Sequence, residues 1–314
     1  MTFWQKLLNF FEKNSPRSEG ANRAATQANA RIDAFLRGVV NHPYWSTEKD
    51  PADLTVVTSK KDRCWYRDGV LHRDGAPAVM GHNGSAPYEH WYQYGALHRE
   101  GGPAIVNGNY HAWYKNGKLH RVGGPAIDVI DRAEGSGQLI RQKWFVDGLL
   151  HREDGPAIEL SSGYRKWFMH GKLHRLGGPA IEHLLLGLGY EYWAHGKPHC
   201  ENGPAVVWPQ YHLEAWYING QLHRDSAPAI RKYDTEVWLW RGRLHREDGP
   251  AVCIGTAHKS AAYFMSELRW SRHRFSKLKF TLGEKQYWVF GERYSEEAYK
   301  RYLTRKADAS KLKD

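Results

Sequence analysis

Eight near-copies of one phrase run through the middle of this 314-residue chain. Each reads as an aromatic pair, two variable residues, Gly, one more residue, Leu-His-Arg, two variable residues, then Gly-Pro-Ala and an aliphatic residue. The clearest copies are Trp113 to Ile127 (WYKNGKLHRVGGPAI) and Trp216 to Ile230 (WYINGQLHRDSAPAI). A tandem array repeats one supersecondary unit that cannot bury its apolar face alone, so stability comes from neighbour stacking and the product is a long surface. The repeat glycines Gly69, Gly95, Gly117, Gly148, Gly171, Gly196, Gly220 and Gly242 lie 26, 22, 31, 23, 25, 24 and 22 residues apart. Insertions such as Asp131–Gly137 absorb the unevenness in surface loops, where added length costs little.

The turns at Gly69, Gly117, Gly148 and Gly220 read Asp-Gly or Asn-Gly. Those pairs favour the type I′ turn of a two-residue hairpin, because both central positions need positive φ. Counting outward from the turn sets Tyr114 opposite Leu119 and Trp113 opposite His120. Strand alternation then assigns Trp and His to one face, and Tyr, Leu and Arg to the other. Each repeat is expected to present a Trp–His cross-strand pair. Gly-Pro-Ala makes a second turn, and Ala-Ile or Ala-Val opens a third short strand. The expected fold class is mainly β: an elongated tandem β-hairpin and meander array of about eight repeats with helical caps at both ends.

The array is assigned to residues 44–255, preceded by a helical cap over residues 1–43. Residues 2–13 and about 20–40 have helical patterning, with Ala25, Ala28, Ile32, Phe35 and Val39 on one face. They are expected to cover the first repeat; the alternative is that residues 2–13 lie on a membrane or dock into a partner. Residues 256–314 form a third region. It holds a basic stretch with Arg269, Arg272, Arg274 and Lys277 interleaved with Trp270 and Phe275, then a degenerate repeat at Gln286–Tyr294. A closing helix is expected over residues 296–306, with Ser295 as N-cap and Glu296 and Glu297 in the first turn.

Hydrophobic content of 41% and charged content of 25% are globular values. Net charge is +11, which points to acidic proteins, nucleic acid or anionic membrane surfaces as partners. Cys64, Cys200 and Cys253 are an odd number without CxxC spacing, so a reducing, cytoplasmic setting is expected. The N-terminus lacks the unbroken apolar core of a signal peptide, and no stretch approaches the roughly 20 apolar residues of a transmembrane helix.

His recurs at all eight equivalent positions: His72, His98, His120, His151, His174, His199, His223 and His245. Arg follows in seven: Arg73, Arg99, Arg121, Arg152, Arg175, Arg224 and Arg246. Repetition of this kind suits fold maintenance: His stacked on a Trp such as Trp113 or Trp216, with its ring nitrogen satisfying the Gly-Pro-Ala turn. Arg would pair with Asp74, Glu100, Glu153, Asp225 or Glu247. The functional alternative is that the Arg ladder, with Arg269, Arg272, Arg274 and Lys277, binds phosphates while aromatics stack on bases. The eight histidines have no close second ligand, so no metal site is expected, and His199-Cys200 reads as drift in a repeat that also has Pro198 for Leu. GxSxG, P-loop, GxGxxG and HExxH motifs are missing, and no enzyme or cofactor is expected.

The aromatic pair, Asn-Gly and Leu-His-Arg-x-x-Gly-Pro-Ala together resemble the divergent MORN-like repeats of bacterial and viral proteins, over residues 62–255. That resemblance implies an array of β-hairpins, a bacterial or phage protein, and a non-enzymatic role in protein assembly or membrane association. The expected function is a protein-binding scaffold or inhibitor in the cytoplasm. The alternative is a binder of an anionic ligand, whether nucleotide, nucleic acid or lipid headgroup; self-association is also compatible with an array.

Overall fold

Short strands broken every few residues by Gly or Pro leave the chain little choice but an antiparallel meander, and that is what the computed structural model contains. It describes residues 46–84, 86–133, 137–183, 189–256, 281 and 283–311. The helices expected over 2–13 and 20–40, and the basic residues Arg269, Arg272, Arg274 and Lys277, lie outside the described residues.

The chain divides between Lys172 and Leu173 into two units. In the first, Ser46–Lys49 pairs with Thr55–Thr58, which pairs with Asp62–Arg67. The meander continues through Val79–Asn83, Ala86–His90, Ile105–Asn107, Tyr110–Ala112, Ile127–Ala133, Gly137–Lys143, Ile158–Leu160 and Tyr164–Lys166. In the second, Ile181–His183, Gly189–Glu191, Val206–Trp208, Leu213–Ala215, Ile230–Lys232, Thr235–Val237, Val252–Cys253 and Lys285–Val289 follow the same order. All of these pairings are antiparallel.

Between meander strands the chain steps out into a two-residue hairpin. Tyr114 pairs with Leu119, and Lys115 with Lys118, in the register counted from the Asn-Gly turn. The pattern recurs with Tyr92 opposite Leu97, Phe145 opposite Leu150, Tyr217 opposite Leu222 and Leu239 opposite Leu244. The step occurs at the Trp. Trp113 N–H bonds to the Ala126 carbonyl at 2.8 Å, while its own carbonyl accepts from His120 N–H at 3.1 Å. One residue thus belongs to two layers.

Alternation sends one side of each meander strand inward, where the hairpin Tyr and Leu side chains meet it. In the second unit Ala215, Ile230, Val237 and Val252 form one buried cluster with Tyr217, Leu222, Leu239 and Leu244. In the first, Val57, Cys64, Val79 and Tyr88 cluster with Tyr66, Leu71 and Tyr92. The Ala after Pro is fully enclosed at all eight sites, from Ala78 to Ala251, each 0% exposed, so a larger side chain there would overpack.

The first difference from the sequence reading lies after the hairpin. Residues 120–126 are not strand, so period-two alternation ends at Leu119. Arg therefore does not face away from Trp; its guanidinium lies over the indole.

The last helix, α1, runs Glu296–Lys311, longer than the expected 296–306. Ser295 Oγ accepts from Ala298 N–H at 3.2 Å, the N-cap bond that the sequence suggested. Tyr299 anchors the helix to the last repeat: its hydroxyl donates to the Arg246 carbonyl and accepts from Gly249 N–H, both at 3.0 Å. Among the described residues no helix is long and apolar enough to cross a membrane.

Candidate functional site

All eight repeat histidines make the same contact. The imidazole Nδ1 accepts the backbone N–H of the residue just before the turn glycine of the next repeat. The donors run from Tyr94, on His72 at 3.1 Å, to Phe290, on His245 at 3.2 Å. Around this bond two backbone links repeat. Gly148 N–H reaches the Leu119 carbonyl at 2.8 Å, and Arg121 N–H reaches the Phe145 carbonyl at 3.1 Å. The sequence predicts a ring nitrogen on the Gly-Pro-Ala turn, with the ring on Trp; Nδ1 goes instead to the following hairpin.

This contact explains turns that the sequence left unexplained. Tyr94, His170, His195, Arg241 and Phe290 have φ between 46° and 50°, as do Asn116, Asp147 and Asn219. A left-handed conformation costs a side-chain-bearing residue roughly 1–2 kcal/mol. The imidazole offsets that cost by satisfying the amide that the turn exposes. Several of these rings also lie flat on the histidine: His170 on His151 at 4.4 Å between centroids, His195 on His174 at 4.3 Å, and Phe290 on His245 at 4.2 Å.

Where Nδ1 accepts, the neutral ring carries its proton on Nε2; beside the Nδ1 of His98 and His120 there also stands a side-chain oxygen, Asn116 Oδ1 at 2.8 Å and Asp147 Oδ1 at 3.1 Å. Carboxylates lie near Nε2: Asp74 at 3.2 Å from His72 and Asp225 at 3.3 Å from His223, with Glu153 and Glu201 farther off. The hydrogen bond from His72 holds the Asp74 carboxyl below its ordinary range, with Arg67 adding to it. Burial, helped by neighbouring His195, lowers the His174 pKa, and burial also lowers that of His245.

The arginines form a second ladder. Guanidinium carbons of Arg73, Arg99, Arg121, Arg152, Arg224 and Arg246 stand 3.7–4.0 Å from the centroids of Trp65, Trp91, Trp113, Trp144, Trp216 and Trp238. These six and Arg175 each donate from Nη1 to the proline carbonyl four residues on, at 3.0–3.4 Å. A Cβ added to Gly124 would lie 2.9 Å from the Arg121 guanidinium, and at Gly155 the figure is 2.8 Å from Arg152. The glycine before Pro is thus the floor on which the guanidinium lies.

The acids expected to pair with these arginines mostly pair elsewhere. Asp74 bridges to Arg67, and Glu247 to Lys306, while Glu153 and Asp225 face histidine. Asp154 and Asp248, one residue farther along, hold Arg152 and Arg246, and Glu182 holds Arg175. The shift follows from the guanidinium folding back over the Gly-Pro turn, which carries it past the residue next to it.

The sequence itself carries a signal of this pairing. Arg always stands eight residues after Trp, and in the one repeat where Tyr192 replaces Trp, Cys200 replaces Arg. The two residues change together because they form one stacked pair. Among the described residues no group of three or more His, Cys, Asp or Glu side chains could hold a metal ion. No family model matches this chain, and no curated protein is significantly similar to it.

Proposed function

We propose that this chain is a non-enzymatic, MORN-like repeat protein that binds another protein as a scaffold or inhibitor. One observation carries the reading: the frame is constant while the outward positions vary. The recurring His, Arg, Trp, Pro and Ala are engaged in holding repeats together. The turn position just before Gly is exposed in every repeat and is in turn Asp68, Tyr94, Asn116, Asp147, His170, His195, Asn219 and Arg241. The position after Arg is equally open at Val122 and Leu176, 82% and 84% exposed, where other repeats carry acids. Unlike groups at one equivalent position of successive repeats suit a partner with its own irregular chemistry, as in other repeat arrays. A regular polyanion would be met by a regular row of outward cations.

The test is affinity capture with the purified chain, against a variant carrying Tyr94→Ser, Val122→Ser and Leu176→Ser. The reading predicts a discrete protein partner that survives raised salt and is lost with the variant. Capture of nucleic acid or anionic lipid instead, lost on raising salt and on replacing Arg269, Arg272, Arg274 and Lys277 by Glu, would favour the anionic-ligand alternative.

A further inference from the structure

The repeat at Tyr192–Val206 keeps the frame of its neighbours and changes what the frame holds. Tyr192 N–H bonds to the Ala205 carbonyl at 2.7 Å, His199 N–H to the Tyr192 carbonyl at 3.0 Å, and Cys200 N–H to the Tyr217 carbonyl at 3.0 Å. The corresponding bonds at Trp113, His120 and Arg121 are 2.8, 3.1 and 3.1 Å. The backbone is therefore set up for a guanidinium between an aromatic ring and a Gly-Pro turn, but the side chain supplied is a thiol.

That substitution leaves the space open. A Cβ added to Gly203 would meet only the Cys200 Sγ, at 4.0 Å, where its counterparts at Gly124, Gly155 and Gly249 meet a guanidinium at 2.8–3.0 Å. The Pro204 carbonyl, taken by an arginine in seven other repeats, receives no side-chain donor among the described residues. The rim is aromatic and apolar, with one acid, Glu214, on the neighbouring strand. Tyr190 stands edge-on to Tyr192 with ring centroids 5.7 Å apart, and Val207 occupies the strand position at which Arg175 meets Glu182. Val207 pairs with Tyr190 on one side and Glu214 on the other, while Glu201 is exposed beside His199.

We propose that this slot is a docking site for an arginine side chain presented by a protein partner. The proposal deepens the protein-binding reading and rests on it. The same chain supplies the template for the occupant, since its other slots show how a planar guanidinium covers a ring and reaches the proline carbonyl at once. A lysine ammonium is compact and strongly hydrated, and cannot make that slab-like contact. Alone, one such side chain binds weakly; within a larger interface it is the kind of buried arginine that dominates affinity.

The test is an NMR titration of the isotope-labelled chain with Nα-acetyl-arginine amide, with Nα-acetyl-lysine amide as comparison. The expected result is a saturable shift confined to the amides around Tyr192, Cys200, Gly203 and Val207, with the lysine compound at least several-fold weaker. Cys200→Arg, a residue that seven repeats already accommodate, should fill the slot from within and abolish the response. Cys200→Ser should leave it intact. An unsaturable or delocalised shift, equal response to lysine, or a response that persists in Cys200→Arg would overturn the proposal. Partner capture separates the two readings. Capture that depends on Tyr94, Val122 and Leu176 while the arginine probe fails removes the slot and keeps the protein-binding reading. A probe that saturates the slot when no protein is captured keeps an arginine-binding slot but overturns both the protein-binding reading and the protein-borne occupant.

Discussion

The Nδ1 of His120 accepts the backbone N–H of Asp147, 27 residues later in the next repeat, at 3.2 Å. The bond joins a side chain that never varies to a backbone group whose side chain varies freely. Because the bond uses only the backbone N–H, consecutive repeats can be locked together with Asp, Tyr, Asn, His, Arg or Phe at the turn, although some of these side chains also touch the histidine. Replacing His120 by Phe keeps the ring and removes the acceptor, and should cost about 1–2 kcal/mol. Hydrogen exchange at the Asp147 and Gly148 amides should accelerate while distant repeats stay protected; unchanged exchange there would contradict the clamp.

Stability should fall in mild acid. Burial lowers the His90 pKa from 6.5 to about 4, and the pKa values of His174 and His245 are also lowered. For a base held neutral in the fold, the unfolded chain binds more protons, so stability rises with pH through the window. It is fully present above pH 6.5, declines as pH drops towards about 4, and is wholly lost for His90 below that value. Its contribution is on the order of 3 kcal/mol. Thermal unfolding followed by tryptophan fluorescence should show a steady drop in Tm across this range. A flat profile would contradict it.

Trp113 and Arg121 should behave as one unit. Arg121→Cys loses the stack and the bond to the Pro125 carbonyl, and Trp113→Tyr weakens the same stack. In a double-mutant cycle the two changes should cost less together than their sum, with a coupling of about 0.5–2 kcal/mol. The repeat containing Tyr192 and Cys200 is that double variant already present in the chain. Strict additivity would mean that the stack contributes little.

Two substitutions in one turn should differ in severity. Ala126 is 0% exposed, so Ala126→Val overpacks the site and should cost about 1–3 kcal/mol. Gly124→Ala brings a methyl against the Arg121 guanidinium, which is the movable end of a long side chain. Ala76 and Ala227 already occupy that position beside Arg73 and Arg224, which keep their bonds to the proline carbonyl at 3.4 and 3.3 Å, close to the 3.3 Å of Arg152 and Arg246 in glycine-bearing repeats. Gly124→Ala should cost under about 1 kcal/mol, as an exposed change would. Denaturant unfolding of the two variants checks the order.

What could be read in advance was local. The Tyr114–Leu119 register followed from an Asn-Gly turn, and the Ser295 cap followed from its position before two glutamates. Beyond Leu119 the backbone leaves the strand, and counting by twos assigned Arg121 to the wrong side of Trp113. Tyr94 and Phe290 gave no hint of positive φ, because what holds them is a histidine from another repeat. The paired loss of Trp and Arg at Tyr192 and Cys200 was visible as a fixed spacing, but only the stack gives it a meaning.

Eight imidazoles serve as acceptors between repeats. Long-range nitrogen–proton correlation NMR of the histidine rings in the folded protein at neutral pH tests it most directly. The account predicts that His72, His98, His120, His151, His174, His199, His223 and His245 carry their proton on Nε2 and leave Nδ1 bare. Protons found on Nδ1 in the folded chain would contradict it.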